Sequence, residues 1–278
     1  MSLPLMAMLP FADEDPRGLF ELPLDDPPEV VAPRSWAQDT LVGFDLETTG
    51  IDPLADRIVT AAVVHIGPSG EVLPASRSWL VDPGVAIPSE ATAVHGIDTA
   101  RARQAGIPAP GAVGQILAAL EQVWTAGLPV VVFNAPYDLT LLNAELVRHG
   151  FAALEGRETW RRARIVDPLV LDRRADRFRR GQRTLQVAAR HYGVPARDAH
   201  SSFGDAAAAG AVAREIAWRF PFIGAADPDA LHLAQRGWYR DWAANFADYL
   251  RRLGRADADV DGHWPLRPAA GGRPVALP

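Results

Sequence analysis

Residues 41–50 read Leu-Val-Gly-Phe-Asp-Leu-Glu-Thr-Thr-Gly, an apolar run that ends in two acids two positions apart. Side chains two apart on a strand point to the same face. A strand here sets Asp45 and Glu47 side by side, at the end of a run otherwise suited to a core. Like charges held that close repel unless something cationic lies between them. A divalent metal is the simplest such partner, because hard cations take oxygen ligands. The pair therefore calls for further carboxylates, and for a general base, elsewhere in the chain.

The pattern around this strand changes period along the chain. Leu41 to Leu46, Arg57 to Ile66 and Glu71 to Val81 read as three strands, the last two separated by the turn signal Pro68-Ser-Gly70. Their short connections predict an antiparallel meander. Ala112 to Ala126 then suits a helix, with Val113, Ile116, Leu117, Leu120 and Trp124 on one side. Pro129 to Phe133 is wholly apolar, the pattern of a strand buried on both faces. Tyr137 to His149 reads as a helix ending at Gly150. Ile165 and Val166 suggest a short strand leading into a helix through Arg174, and Thr184 to Tyr192 and Gly204 to Phe220 read as two more helices. The fold class is α/β, a mixed sheet flanked by helices.

Both ends differ from this middle. Residues 1–38 hold seven prolines and many acids and predict a disordered acidic tail. Beyond residue 220, Asp227-Pro228 opens a helix whose apolar stripe runs through Leu231, Ala234, Trp238, Trp242, Phe246, Tyr249 and Leu253. Helical spacing favours core packing for those aromatics over stacking on bases. Asp257 to Pro278 predicts an extended tail. The expected domains are thus the tail 1–38, a catalytic domain 39–220 and a helical extension with its tail, 221–278.

Charge narrows the function. Residues 1–40 carry eight acids against two arginines, which is the whole of the net charge of −6. Residues 157–183 hold ten arginines against four acids, a basic patch on an otherwise acidic protein. Every basic residue is Arg, which codon bias in a GC-rich genome explains, though the guanidinium fork also suits phosphate. The patch from Arg157 to Arg183 is a candidate for contacting a nucleic-acid backbone, with a solvated face as the alternative, and Arg177, Arg179 and Arg180 are the residues whose neutralisation would test it. With no cysteine there is no disulfide framework and no thiolate metal site. No apolar stretch approaches a membrane span. Met1 to Pro10 is apolar, but no Lys or Arg precedes it and acids follow, so a secretory signal is not expected and the cytoplasm is.

Two further segments complete the chemistry. Asn134-Ala-Pro-Tyr-Asp138 lies where the buried strand hands over to a helix. His200-Ser-Ser-Phe-Gly-Asp205 is followed by four alanines and Gly210, small residues that let a helix approach the sheet, with Ser201 or Ser202 as its cap. Together with Val94-His95-Gly96-Ile97, these segments resemble the motifs of the DEDDh group of 3′–5′ exonucleases, which includes the proofreading epsilon subunit of bacterial DNA polymerase III. The resemblance covers roughly residues 40–220. Phe133, where epsilon-type proteins often have His, and Pro136 are small departures.

The resemblance implies an RNase H-like fold with a five-stranded mixed sheet. It implies two Mg²⁺ or Mn²⁺ ions held by Asp45, Glu47, Asp138 and Asp205, with His200 as general base. It places Leu46, Thr48, Thr49, Val94, His95 and Asn134 against the substrate. The expected activity is hydrolysis of DNA from its 3′ end to nucleoside 5′-monophosphates, with a DNA polymerase or repair protein as a partner. An exoribonuclease of the same group, or a catalytically silent nucleic-acid-binding or polymerase-associated module, is the alternative. Asp167, before Pro168, reads first as a helix cap.

Overall fold

The computed structural model describes residues 35–195 and 200–268; the expected tail 1–38 lies almost wholly outside them, as does the end of the C-terminal tail. Three strands, β1 (Leu41–Thr48), β2 (Ile58–Ile66) and β3 (Arg77–Asp82), form the antiparallel meander. Two helices, α1 (Ser89–His95) and α2 (Thr99–Ala105), precede a two-residue strand, β4 (Ile107–Pro108), and α3 (Ala109–Thr125). The parallel part follows as β5 (Val130–Val131), α4 (Ala135–Arg148), β6 (Ile165–Val166) and α5 (Pro168–Ala175). Four helices close the described chain: α6 (Leu185–Tyr192), α7 (Ser202–Arg219), α8 (Pro221–Gly224) and α9 (Pro228–Arg252).

Among the described residues the sheet has six strands in the order β4-β3-β2-β1-β5-β6, one more than expected. The extra strand, β4, pairs parallel to β3 at the sheet's edge. Two residues carry no readable alternation, and Pro108 is tolerated because an edge strand need not donate on both sides. Strand β3 begins six residues later than expected. Val72 keeps only an isolated bridge to Ile66, and a turn with Ser76 N–H on the Leu73 carbonyl at 3.0 Å surrounds Pro74. The segment 83–106, for which no element was expected, holds α1 and α2; Asp98 caps α2 by accepting from Arg101 N–H at 2.7 Å.

Strand β1 sits at the centre, antiparallel to β2 and parallel to β5. Val42, Phe44 and Leu46 join the core under α3 and α4, while Leu41 joins the core with α6 and α7. The odd-numbered side chains of β1, including Asp45 and Glu47, thus face α7. Gly43 is on that face because a Cβ there would run into the Ala206 carbonyl. The small residues of α7 bring it down onto the sheet. The register of β1 on β2 shifts between Glu47 and Thr48, an irregularity that re-aims the strand where the acids end. No helix among the described residues is long and apolar enough to cross a membrane.

Candidate active site

The alternation of β1 and the close approach of α7 fix the first three groups. Asp205 lies in the first turn of α7, whose cap is Ser201, accepting from Gly204 N–H at 3.1 Å. The Thr60 hydroxyl of β2 donates to Ser202 at 3.0 Å and ties that helix start to the sheet. As a result, carboxylate oxygens of Asp45, Glu47 and Asp205 all lie within 4.8 Å of one another.

Asp138 comes from α4 and stands just outside that group of three. It is buried, and its Oδ1 accepts from Leu46 N–H at 3.1 Å. The start of α4 is fixed by Asn134, whose backbone is left-handed at φ 64°, and by Asp167. The buried Asp167 carboxylate accepts from the N–H groups of Asn134, Ala135 and Leu169, each at 3.0 Å. It caps α5, as its place before Pro168 predicts, and it also braces the turn that carries Asp138.

The electrostatics follow from burial and crowding. Burial, then the charges of Asp138, Asp205 and Glu47, hold the Asp45 carboxyl well above the usual carboxylate range. Burial and Asp205 push Glu47 up to about 7. Burial raises Asp138 too, against the opposing hydrogen bond from Leu46. Burial also raises Asp205, opposed by the charge and the backbone N–H of His200. No cationic side chain figures among the charges acting on Asp45 or Glu47. An all-oxygen donor set of crowded carboxylates fits a hard divalent cation. His200 is exposed on the loop before α7, with a left-handed backbone at φ 66°.

The remaining expected residues divide. Leu46 is buried in the core and also lines a cleft of about 430 Å³ beside Asp45 and Asp138. Asn134 lines the same cleft. The Thr48 hydroxyl bonds to the Gly50 carbonyl and to the Tyr137 hydroxyl, both at 2.7 Å. Thr49 is buried, donates to Asp56 at 2.8 Å and accepts from Arg57 N–H at 3.0 Å, so its hydroxyl holds the turn after β1. Val94 is exposed at the end of α1. His95 accepts from Ile97 N–H through Nδ1 at 3.2 Å, which leaves the proton of the neutral ring on Nε2. That nitrogen is buried beside the Thr48 backbone without an ordinary hydrogen bond, and burial lowers the ring's pKa.

Two residues near the site were not singled out in the sequence, although Arg173 belongs to the basic patch read there. Tyr137 donates to the Gly50 carbonyl at 2.6 Å, and burial pushes its pKa up to about 12. Its place beside Asp138 in the second motif was the available signal. Arg173 lines the cleft, and nothing in the sequence separates it from the nine other arginines of the patch.

A family model described as Exonuclease (RNase T) matches residues 42–213. A "DNA polymerase III subunit epsilon-like protein" of Rhodobacter capsulatus is 40% identical over 105 residues, 37% of this chain and 14% of that protein. The structure of E. coli exonuclease I in complex with a dT13 oligonucleotide superposes with a TM-score of 0.54 at 19% identity, over 66% of this chain and 42% of that one. The zinc-bound form of the E. coli exonuclease I–ssDNA complex gives 0.56 at 19% identity, over 73% and 43%. The chain thus spans a small part of the curated relative and less than half of the exonuclease I chains, whose likeness is one of fold. Since the family model takes in more than half of its length, the chain belongs to the RNase T-type exonuclease family, the DEDD 3′–5′ exonucleases that its motifs resemble.

Proposed function

We propose that this protein is a divalent-metal-dependent 3′–5′ exonuclease that trims DNA and releases nucleoside 5′-monophosphates. The observation that carries this reading is the meeting of Asp45, Glu47 and Asp205 within 4.8 Å, with Asp138 beside them at the edge of a cleft. These four carboxylates would hold two Mg²⁺ or Mn²⁺ ions. Bound there, the ions would make a water nucleophilic near neutral pH and offset charge on the phosphoryl oxygens.

The chain's own groups supply the rest. His200 takes the proton of the attacking water, a role supported by its exposed place on the loop just before the helix that carries Asp205. Leu46 forms the floor under the terminal base, and Thr48, Val94, His95 and Asn134 border that nucleotide. Thr49 acts through the turn, by way of Asp56. DNA is favoured over RNA because the named relatives are an epsilon-like polymerase subunit and an exonuclease with DNA bound. The same relative makes a DNA polymerase the first partner to test. Residues 39–220 form the catalytic body and 221–278 an extension of it.

The test offers end-labelled single-stranded DNA, duplex DNA and RNA with Mg²⁺, Mn²⁺, Zn²⁺ or EDTA. Stepwise shortening from the 3′ end of DNA is expected with Mg²⁺ or Mn²⁺ and is abolished by EDTA. Asp45→Ala is expected to lower the rate by at least about a thousandfold, the scale of losing a cation's stabilisation of the transition state. Activity that survives both EDTA and Asp45→Ala would rule out the metal mechanism. Faster shortening of RNA than of DNA would reassign the substrate.

A further inference from the structure

The cleft has a second wall. Besides Asp45 and Asp138 it is lined by Leu169 and Arg173 of α5, and by Arg183 and Thr184 just before α6. Its volume of about 430 Å³ lies within the range of small-ligand sites, roughly 300–1,000 Å³. A site for one nucleotide needs the carboxylate end alone. The arginine end calls for a separate explanation.

Among the described residues, five of the ten arginines of the basic patch make ion pairs within the protein. Arg157 bonds to Glu121 at 3.1 Å, Arg161 lies 3.7 Å from Glu158, and Arg164 pairs with Asp229 at 2.8 Å. Arg179 and Arg183 both donate to the buried Asp172, at 2.5 and 2.6 Å, and Arg183 also takes three backbone carbonyls. Arg179, read from the sequence as a backbone contact, is therefore engaged structurally.

Arg173 differs from these. Among the described residues it forms no hydrogen bond and has no carboxylate within 4.0 Å. Its guanidinium carbon instead sits 3.5 Å from the ring centroid of Trp242 on α9. Such stacking fixes the plane of the guanidinium and leaves its N–H edges free. The charge is half-buried in a cleft wall, where an anion gains more from it than in open water. Burial lowers the Arg173 pKa, against the opposing charges of Asp167, Tyr239 and Asp172.

We infer that Arg173, oriented by Trp242, binds a phosphodiester of the substrate strand on the 5′ side of the scissile bond. This rests on the exonuclease reading above and assigns the strand's path to the arginine end of the cleft. Trp242 lies beyond residues 42–213, so the C-terminal extension shapes the substrate site.

The test compares a single-stranded oligodeoxynucleotide with the p-nitrophenyl ester of thymidine 5′-monophosphate, which has a scissile phosphate and no upstream one. Wild type, Arg173→Ala, Arg173→Lys, Trp242→Ala and the control Arg161→Ala are assayed, with circular dichroism to check folding. Arg173→Ala is expected to raise KM for the oligonucleotide about tenfold or more, the worth of a charged hydrogen-bonded pair, with the ester's kcat/KM within about twofold. Its oligonucleotide affinity should depend on salt with a slope smaller by about 0.7. Arg173→Lys should recover part of the loss, Trp242→Ala should share its direction, and Arg161→Ala should match wild type. Unchanged KM in Arg173→Ala, or an equal loss on the ester, overturns the assignment. If the wild type cleaves neither substrate, the exonuclease reading fails by itself. Anisotropy titration of labelled oligonucleotide in EDTA then still decides Arg173, since equal binding by wild type and Arg173→Ala overturns its role.

Discussion

Glu47 is an acid of the cluster whose carboxyl is raised into the neutral range. Burial and Asp205 raise it to about 7 from an ordinary value of 4.5. The sign follows from linkage. Between those values the unfolded chain has lost the proton and the folded chain keeps it, so the metal-free protein loses stability as pH rises from about 4.5 to about 7. A cation and a proton compete for the same oxygens, so divalent affinity should climb over the same window and level off above it. Mn²⁺ titration calorimetry at several pH values, in two buffers of different ionisation enthalpy, reads both the affinity and the protons released. A flat affinity between pH 5.5 and 8 would count against Glu47 as a ligand. Asp45 and Glu47 could be singled out from the sequence because alternation on a strand is local. Asp138 and Asp205 could be singled out because each sits at a helix start with a readable motif. The hydroxyl of Thr49 and the stacking of Arg173 could not, because their partners Asp56 and Trp242 are set by a turn and by a distant helix.

Helices with a long apolar stripe are where the sequence spoke most clearly. Helices α3, α4, α7 and α9 lie within a few residues of their expected bounds, but the face that α9 buries runs through Leu231, Gln235, Tyr239, Ala243 and Ala247, and Phe246, Tyr249 and Leu253 of its expected stripe are exposed. Helices α1 and α2 have seven residues each, too few to show a period, and β4 has two. How α9 docks was also beyond reach, and His232 is part of the answer. Its Nδ1 accepts from Ile165 N–H of β6 at 3.1 Å, and its ring packs 5.0 Å from that of Trp264. Burial and the charge of Arg236 lower its pKa to about 4, against the opposing charge of Asp229. The unfolded chain takes up this proton near pH 6.5 and the folded one does not until about 4. Stability should therefore be full above pH 6.5 and fall as pH drops towards 4, by up to about 3 kcal/mol from this group. Urea denaturation of the EDTA-treated protein at pH 7 and pH 5, in wild type and His232→Leu, isolates the effect. The difference between the two pH values should shrink in the variant. An unchanged difference would remove His232 from the acid response.

The buried Asp167 is bonded by groups from both the exonuclease-like body and the extension. Gln235 of α9 accepts from Asp167 N–H at 2.7 Å and donates to the Ile165 carbonyl at 2.9 Å. Trp264, beyond the helix, donates through its indole N–H to Asp167 Oδ2 at 3.2 Å. Arg267 N–H then reaches Thr140 of α4 at 2.9 Å. The segment after α9 was expected to be extended, yet Trp264 is buried in the core. Asp167 in turn braces Asn134 and Ala135 at the start of the helix that carries Asp138. Burial raises the Asp167 pKa, and the donated hydrogen bonds oppose that, so losing a donor leaves a less satisfied buried acid. Trp264→Phe removes the N–H together with part of the buried indole ring. It should cost about 1–3 kcal/mol in denaturant unfolding, the penalty for a buried group left short of a partner. Because α4 then holds Asp138 less firmly, Mn²⁺ affinity should fall as well, while KM for the thymidine ester changes little and kcat drops. A stability loss with Mn²⁺ affinity and kcat both unchanged would show that the extension supports the fold without positioning the site.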